Sequence, residues 1–396
     1  MRIFGFDITR INKQLSTISA LSSGIPMRSG ARSNPMLLSA VYRCVDLISD
    51  SVGAVPMKVY SIDSEGFKRE ATSHPASDVL KLEPNENMTA FTFFKTLVTS
   101  VLLTGNGYAY IERDHDNRVS QLIYIPSNNV KVVFVNDPEG VKRKRYQLVG
   151  FGSLVEPQDM IHVLNFSYNG IEGVSTLEHA RQTIDVAAST EEHAKGFFDS
   201  GASVNGVLKV EGARLTQDQK EQIYKTWSSH YDSSTGKASG IAILEGNMSY
   251  QPISVSPRDS QFLESREFSV VDICRFFSVS PVKAFDLSKS SYSTVEATQL
   301  QYLTDTLLAI LTKIELEINR KVFTKSERLS FHAEFDTSIL LRTDKAALSS
   351  FYHTMFNVGA VTPNEVRRML NLPRMAEGDT TFVPVNMQTI DKIITK

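Results

Sequence analysis

Several short runs carry residue types that could do chemistry. Ser234-Thr235-Gly236-Lys237 has the Gly-Lys of a phosphate-binding loop. That motif needs a glycine five residues before its second glycine and a Ser or Thr after the lysine, so that backbone N–H groups and the hydroxyl converge on phosphate. Tyr231 and Ala238 stand there instead, and the run reads as a polar loop tip. Ser280-Pro281-Val282-Lys283 has the Ser-x-x-Lys spacing that sets an amine near a nucleophilic hydroxyl. The partner motifs of that acyl-transfer class are missing, which leaves a helix stop. Gly105-Asn106-Gly107 lacks the third glycine of a dinucleotide loop and enters a strand rather than a helix, so it reads as a turn.

The eight histidines are scattered without ligand spacing. His162 on a strand and His353 on a helix read as packing or surface residues. Glu334 and Asp336 lie two apart on a strand and share a face. Such a pair could hold a metal in a nuclease-like site, although a solvated strand face is the plainer reading. Cys44 and Cys274 each sit inside an apolar helical pattern, which argues against a disulfide framework and a cysteine metal site and for a reducing compartment during folding. No catalytic residue, metal or cofactor is assigned. The basic run Lys142–Arg145 reads as a solvated hairpin that could touch phosphates. Trp227, the only tryptophan, lies near Ile223, Tyr224 and Tyr231 and reads as core or as a subunit-contact anchor.

The elements that would position these residues divide the chain in two. Asn34-Pro35 starts a helix whose apolar residues Leu37, Val41, Val45 and Ile48 recur at helical spacing, ending at Gly53 and Pro56. His74-Pro75 opens a short helix that Pro84-Asn85 breaks, and Thr89 caps another that Gly105 closes. Segments from Tyr108 to Val149, and Met160–Phe166, have β texture. The second half is mostly helical. Capping boxes at Ser175–Glu178 and Thr216–Gln219 predict helices to about Phe198 and Tyr231. Short strands are predicted at Val207–Val210, Ile241–Leu244 and Tyr250–Val255, and a helix from Ser256-Pro257 to about Ser278. Leu300, Leu303, Leu307, Leu311, Ile314, Ile318 and Val322 predict one buried stripe on a helix from about Thr294 to Val322. Such a helix would be roughly 45 Å long. Leu329–Phe335 reads as a strand, Leu340–Asn357 and Pro363–Leu370 as helices.

Composition excludes several classes. The 396 residues, 41% hydrophobic and 22% charged, allow a large core and about two to four domains. Forty-two basic against 44 acidic residues give a net charge of −2, which excludes a strongly cationic nucleic-acid condenser. No apolar run reaches the length of about 18 residues that a bilayer span needs, so no membrane partner is expected. Residues 1–34 carry no secretory pattern and read as an N-terminal arm, so the chain is expected in the cytoplasm of the cell that makes it.

Taken in order, the signatures resemble the portal proteins of tailed bacteriophages, of the Hong Kong 97 type, from about residue 35 to residue 385. The markers are Val55-Pro56, His74-Pro75 with Pro84-Asn85, Gly105-Asn106-Gly107-Tyr108-Ala109-Tyr110, Ile125-Pro126 and Gly173-Val174-Ser175-Thr176-Leu177. Asp259, Leu263-Glu264 and Ile273 follow, then Phe276-Phe277-Ser278-Val279-Ser280-Pro281, Tyr292-Ser293-Thr294-Val295-Glu296 and Thr362-Pro363-Asn364-Glu365-Val366-Arg367. In one departure, Phe285 precedes Asp286 where the family often has Gly-Asp.

The resemblance implies an α+β portal architecture without enzymatic activity or cofactor. Subunits, usually twelve, would form a ring at one capsid vertex, assembled in the host cytoplasm and kept in the virion. Double-stranded DNA would pass through its channel without sequence recognition. The terminase large subunit, and later a head-completion or adaptor protein, would dock on it, and the major capsid or scaffolding protein would surround it. The implied layout is a wing over 35–175, stem helices at 176–199 and 257–280 and a clip at 200–256. A tunnel loop at 281–294, the long wing helix and strand at 295–339, and a crown and tail at 340–396 complete it. Lys283, Phe285, Leu287, Ser288, Lys289, Ser290, Ser291 and Tyr292 would then face DNA. Lys220, Lys225, Trp227, Tyr231 and Lys237 would serve docking or subunit contact. A phage DNA-processing enzyme, a metal-dependent nuclease using Glu334 or Asp336, is the alternative, and a monomeric ligand-binding protein a third reading.

Overall fold

The computed structural model describes residues 2–3, 6–7, 34–62, 68–136, 140–199, 206–210, 216–222, 225, 248–252, 268–285, 298–341, 345–370 and 372–382. They fall into two compact units, Met1–Phe335 and Asp336–Lys396.

In the first unit, two antiparallel strands, β1 (Arg2–Ile3) and β2 (Phe6–Asp7), precede the helical start. The Asn34 side chain accepts the Met36 N–H, and Pro35–Leu37 form a 3-10 turn rather than the first α-helical turn that the Asn-Pro signal predicts. The first helix is Ser39–Ala54. Val41, Cys44, Val45, Ile48 and Val52 recur every three or four residues, and all are buried. They pack against a second helix, Ala90–Thr104, which is capped by Thr89 and closed by Gly105 in the left-handed region. Its Phe93, Phe94, Leu97 and Val98 complete the core.

Around this pair lie small antiparallel sheets. β3 (Met57–Ile62) pairs with β4 (Lys68–Glu70) on one edge and with β12 (Phe331–Phe335) on the other. β5 (Asn106–Arg113) lies between β6 (Val119–Ile125) and β9 (Met160–Leu164). β7 (Val130–Asn136) and β8 (Lys142–Leu148) form a hairpin. The markers have structural reasons. The His74 ring accepts the Ala76 N–H and opens the helix Pro75–Lys81. Asn85 is buried with its amide on the Leu122 carbonyl, and the Pro84 carbonyl accepts the Leu122 N–H, so Pro84-Asn85 clips the loop to β6.

The helix predicted from Ser175 to about Phe198 is broken at Ala180, giving Thr176–His179 and Arg181–Asp199. Ser175 caps through the Leu177 N–H and donates its hydroxyl to the Leu103 carbonyl at 2.6 Å, tying the helix start to the end of the second helix. β10 (Gly206–Val210) pairs with β11 (Met248–Pro252); the strand predicted near Ile241–Leu244 lies outside the described residues. Gln219 accepts the Thr216 N–H, one half of the predicted box.

The long helix runs over 298–321. Its buried stripe holds for Leu307, Leu311, Ile314 and Ile318 and fails N-terminal to them. Leu300 is 58% exposed, whereas Thr298, Tyr302 and Thr306 are buried. The reason is a π-helical stretch at Tyr302–Leu307, whose wider turn changes which side chains face inward. No described helix is long and apolar enough to cross a membrane.

The second unit holds the helices Ser338–Leu341, Lys345–Asn357 and Pro363–Met369. Thr362 and Glu365 form a reciprocal capping box at the last of these. Buried Asn364 donates to the Met375 carbonyl and Asp379 and accepts the Met375 N–H, folding the following turn back onto this helix.

Candidate functional site

The chain that follows the helix over 268–276 begins at a built base. The helix over 268–276 is followed by a turn at Phe277-Ser278, where Ser278, at φ +54°, redirects the chain. Ser280-Pro281 then opens a 3-10 turn, Pro281–Ala284, so the proline redirects the chain as well as stopping the helix. Phe285 closes the turn at φ +67°, a left-handed conformation that costs a residue with a Cβ about 1–2 kcal/mol. The resemblance implies glycine at this position, and the backbone of Phe285 is glycine-like. The Phe285 ring, 73% exposed, lies under the Arg43 guanidinium at 4.6 Å, a contact worth about 0.5–1 kcal/mol.

Other contacts fix the base to the first and long helices. The Lys283 ammonium hydrogen-bonds Gln299 and lies 5.5 Å from the Tyr302 ring centre. Burial, with Arg43 nearby, holds its pKa below the usual lysine range. Tyr302 donates toward the Leu47 carbonyl and Ser51, and burial pushes its hydroxyl up to about 12. Thr306, inside the π-helical stretch, donates to the Ser278 carbonyl. Lys283 is thus committed to the base of the loop. Leu287, Ser288, Lys289, Ser290, Ser291 and Tyr292 lie outside the described residues. So do Trp227, Tyr231 and Lys237 of the expected clip; Lys220 and Lys225 are exposed.

A buried polar cluster ties the sheets to the long helix. His162 Nε2 lies 3.0 Å from Asn106 Oδ1. The Asn106 amide nitrogen donates to the Thr104 and Gly173 carbonyls, which fixes its oxygen toward the ring and makes Nε2 the protonated nitrogen. Nδ1 then accepts from Lys144 and Tyr146, both at 3.1 Å. The His162 backbone N–H donates to Glu317, and Lys321 spans Glu317 and the Met160 carbonyl. Burial first, then Lys144 and Lys321, lowers His162 to about 2, and burial holds Lys144 at about 8. The basic run is therefore only half solvated. Lys142 and Arg143 are exposed, Lys144 points inward, and Arg145 pairs with Glu156 at 2.8 Å.

This fixes a pH response. His162 is neutral in the folded chain and takes up a proton near pH 6.5 when unfolded. Stability is therefore lost as pH falls below about 6.5, with a slope of up to about 1.4 kcal/mol per pH unit from this residue. Between pH 7 and 5, His162→Gln should show a shallower fall in thermal midpoint than the parent; equal slopes would mean that His162 titrates normally.

Glu334 is held by Lys68 at 2.6 Å and by His332 at 3.2 Å, so it is part of an ion-paired strand face. No metal-holding cluster of His, Cys, Asp and Glu occurs among the described residues. Cys44 and Cys274, read from sequence as belonging to separate helices, meet with 3.8 Å between their sulfurs.

A family model described as Phage portal protein matches residues 39–371. The portal protein of Enterobacteria phage HK97 is 30% identical over 356 residues, 88% of this chain and 83% of its own length. The probable portal protein of Streptomyces phage phiC31 is 24% identical over 364 residues, 88% of this chain and 78% of its own. In fold, the chain is similar to an HK97 family phage portal protein from Corynebacterium diphtheriae, with TM-score 0.58 at 16% identity, covering 79% of this chain and 97% of that one. A chain of the native gene transfer agent virion gives TM-score 0.57 at 21% identity, covering 91% and 99%. A chain of the native particle's neck, computed with C12 symmetry, gives 0.52 at 20%, covering 90% and 99%.

Proposed function

The chain belongs to the phage portal protein family, and from that premise we propose that about twelve copies close into a ring at one capsid vertex, through which double-stranded DNA enters and leaves. The observation that carries this is the family match over residues 39–371, almost the whole folded chain. The C12 symmetry of the gene transfer agent neck supports the copy number. On this reading the chain is a non-enzymatic conduit, assembled in the host cytoplasm. Residues 35–175 with 295–339 form the wing, 176–199 and 257–280 the stem, 200–256 the clip, 281–294 the tunnel loop and 340–396 the crown.

Charge suits the role. Phosphate contacts dominate DNA affinity, and contacts repeated around a ring add through avidity, so a strongly basic lining would hold DNA fast. A chain of net charge −2 suits weak, sequence-blind contact that would let DNA slide.

The purified protein should sediment as a large particle and show rings with a hole wide enough for duplex DNA in negative stain. Monomers at micromolar concentration would overturn the reading. The terminase large subunit and the head-completion or adaptor protein would dock on the clip, and the major capsid or scaffolding protein would meet the wing. Lys220→Glu with Lys225→Glu, at exposed clip positions, should leave ring formation intact and reduce terminase capture in a pull-down. Undiminished capture would place docking elsewhere.

A further inference from the structure

Cys44 lies on the first helix and Cys274 on the helix over 268–276. The two residues are 230 positions apart, their sulfurs are 3.8 Å apart, and both side chains are fully buried. Neither is in a disulfide. A disulfide needs about 2.05 Å, so a closure of under 2 Å, within reach of small shifts of two packed helices, would join them.

We propose that Cys44 and Cys274 form an oxidisable dithiol that peroxide converts into an intrachain disulfide, fastening the end of the helix over 268–276 to the first helix.

The chemistry balances with peroxide as oxidant. One thiol loses its proton and attacks a peroxide oxygen, giving a sulfenic acid and one water. The second thiol displaces hydroxide from the sulfenic sulfur, and with the proton it gives up that leaves as a second water. Two thiols and one hydrogen peroxide thus become one disulfide and two waters. The second step is fast here because the partner sulfur is already in contact, so it outruns over-oxidation. The first step is slow. The hydrogen bond between the two sulfurs and burial push the Cys44 thiol up, so little thiolate exists, and peroxide reaches the pair only when the helix over 268–276 opens locally. Its exposed Phe268, Arg275 and Phe276 show that one side of this helix faces solvent. On the portal reading, assembly takes place in a reducing cytoplasm and the oxidant is met only afterwards. The bond would then hold Ser278 and the Pro281–Ala284 turn to the first helix, which already carries Arg43.

The test uses the full chain. Protein would be incubated with hydrogen peroxide, quenched with catalase, then denatured with an alkylating reagent present and weighed intact. The expected product takes up no label, weighs about 2 Da less than the reduced chain, and yields one peptide pair joining Cys44 to Cys274 that dithiothreitol separates. Its thermal midpoint should rise by several degrees, and peroxide should not raise it in Cys44→Ala or Cys274→Ala. Two alkylatable thiols after treatment, sulfinic acid in place of the bond, or cross-links only between chains would each overturn the proposal. Intact mass and peptide mapping of the parent chain decide the matter even if a variant fails to fold.

Discussion

Gly173→Ala is expected to abolish soluble folded protein. A Cβ added at Gly173 would lie 1.9 Å from the Gly105 oxygen and 2.8 Å from its carbonyl carbon. Both are backbone atoms that cannot swing away. Gly105 has φ +83°, and a Cβ there would fall 2.4 Å from the Val174 carbonyl carbon. Asn106 holds the contact closed, accepting the Gly173 N–H at 2.7 Å and donating to the Gly173 carbonyl, while the Asn165 N–H donates to the Gly105 oxygen. The same asparagine orients His162, so separating the strands would also undo the buried polar cluster. The loss should exceed about 4 kcal/mol, the range of severe core lesions. Expression and circular dichroism would measure it. Gly152→Ala, where an added Cβ meets nothing within 4 Å, should be silent. Folded Gly173→Ala rings would show that the two segments can part at little cost.

Deleting Leu287–Ser290, or making Lys289→Glu, should leave capsid assembly intact and sharply reduce packaged DNA. The deletion starts beyond Phe285, the last described residue of the base, and spares the contacts of Lys283, Tyr302 and Thr306. Shortening the loop therefore need not unfold what carries it. Since Lys283 is engaged by Gln299 and Tyr302, on the proposed reading Lys289 is the lysine that would meet phosphate oxygens, with Ser288, Ser290 and Ser291. Tyr292 and Leu287 would give bulk to the collar. Head assembly by electron microscopy and genome content by nuclease protection should separate. If both variants package and retain full genomes at the parental rate, the segment is an ordinary connection between helices.

Local signals in the sequence were sound where the cause is local. Thr89 and Gly105 bound their helix, and Thr362 and Glu365 cap theirs, because a cap is settled within four residues. The strands at 106–113 and 160–164 follow from β-branched and aromatic texture. What stayed illegible depends on residues distant in sequence. His162 was read as a packing residue, but its tautomer is set by Asn106 and its low basicity by burial with Lys144 and Lys321. Lys144 looked like one of four solvated cations, although strand alternation alone puts it opposite Arg143. The glycine that the resemblance implies before Asp286 is the sequence hint of the left-handed turn at Phe285. Nothing in the spacing of 230 residues brings Cys44 to Cys274.

The π-helical stretch at Tyr302–Leu307 has a consequence for insertions and deletions. Relative to a regular α-helix it stores one surplus residue, so everything before it is rotated by about 100° against everything after it. Removing a single residue there, such as solvent-exposed Thr304, would let the helix rewind as an uninterrupted α-helix. Its first turn would then swing Leu300 toward the interior and carry Tyr302 away from Leu47 and Ser51. A one-residue deletion in this helix is thus a change of phase from one hydrogen-bond ladder to another. Related chains lacking the surplus residue should show leucines in place of Thr298, Tyr302 and Thr306 on the inward face.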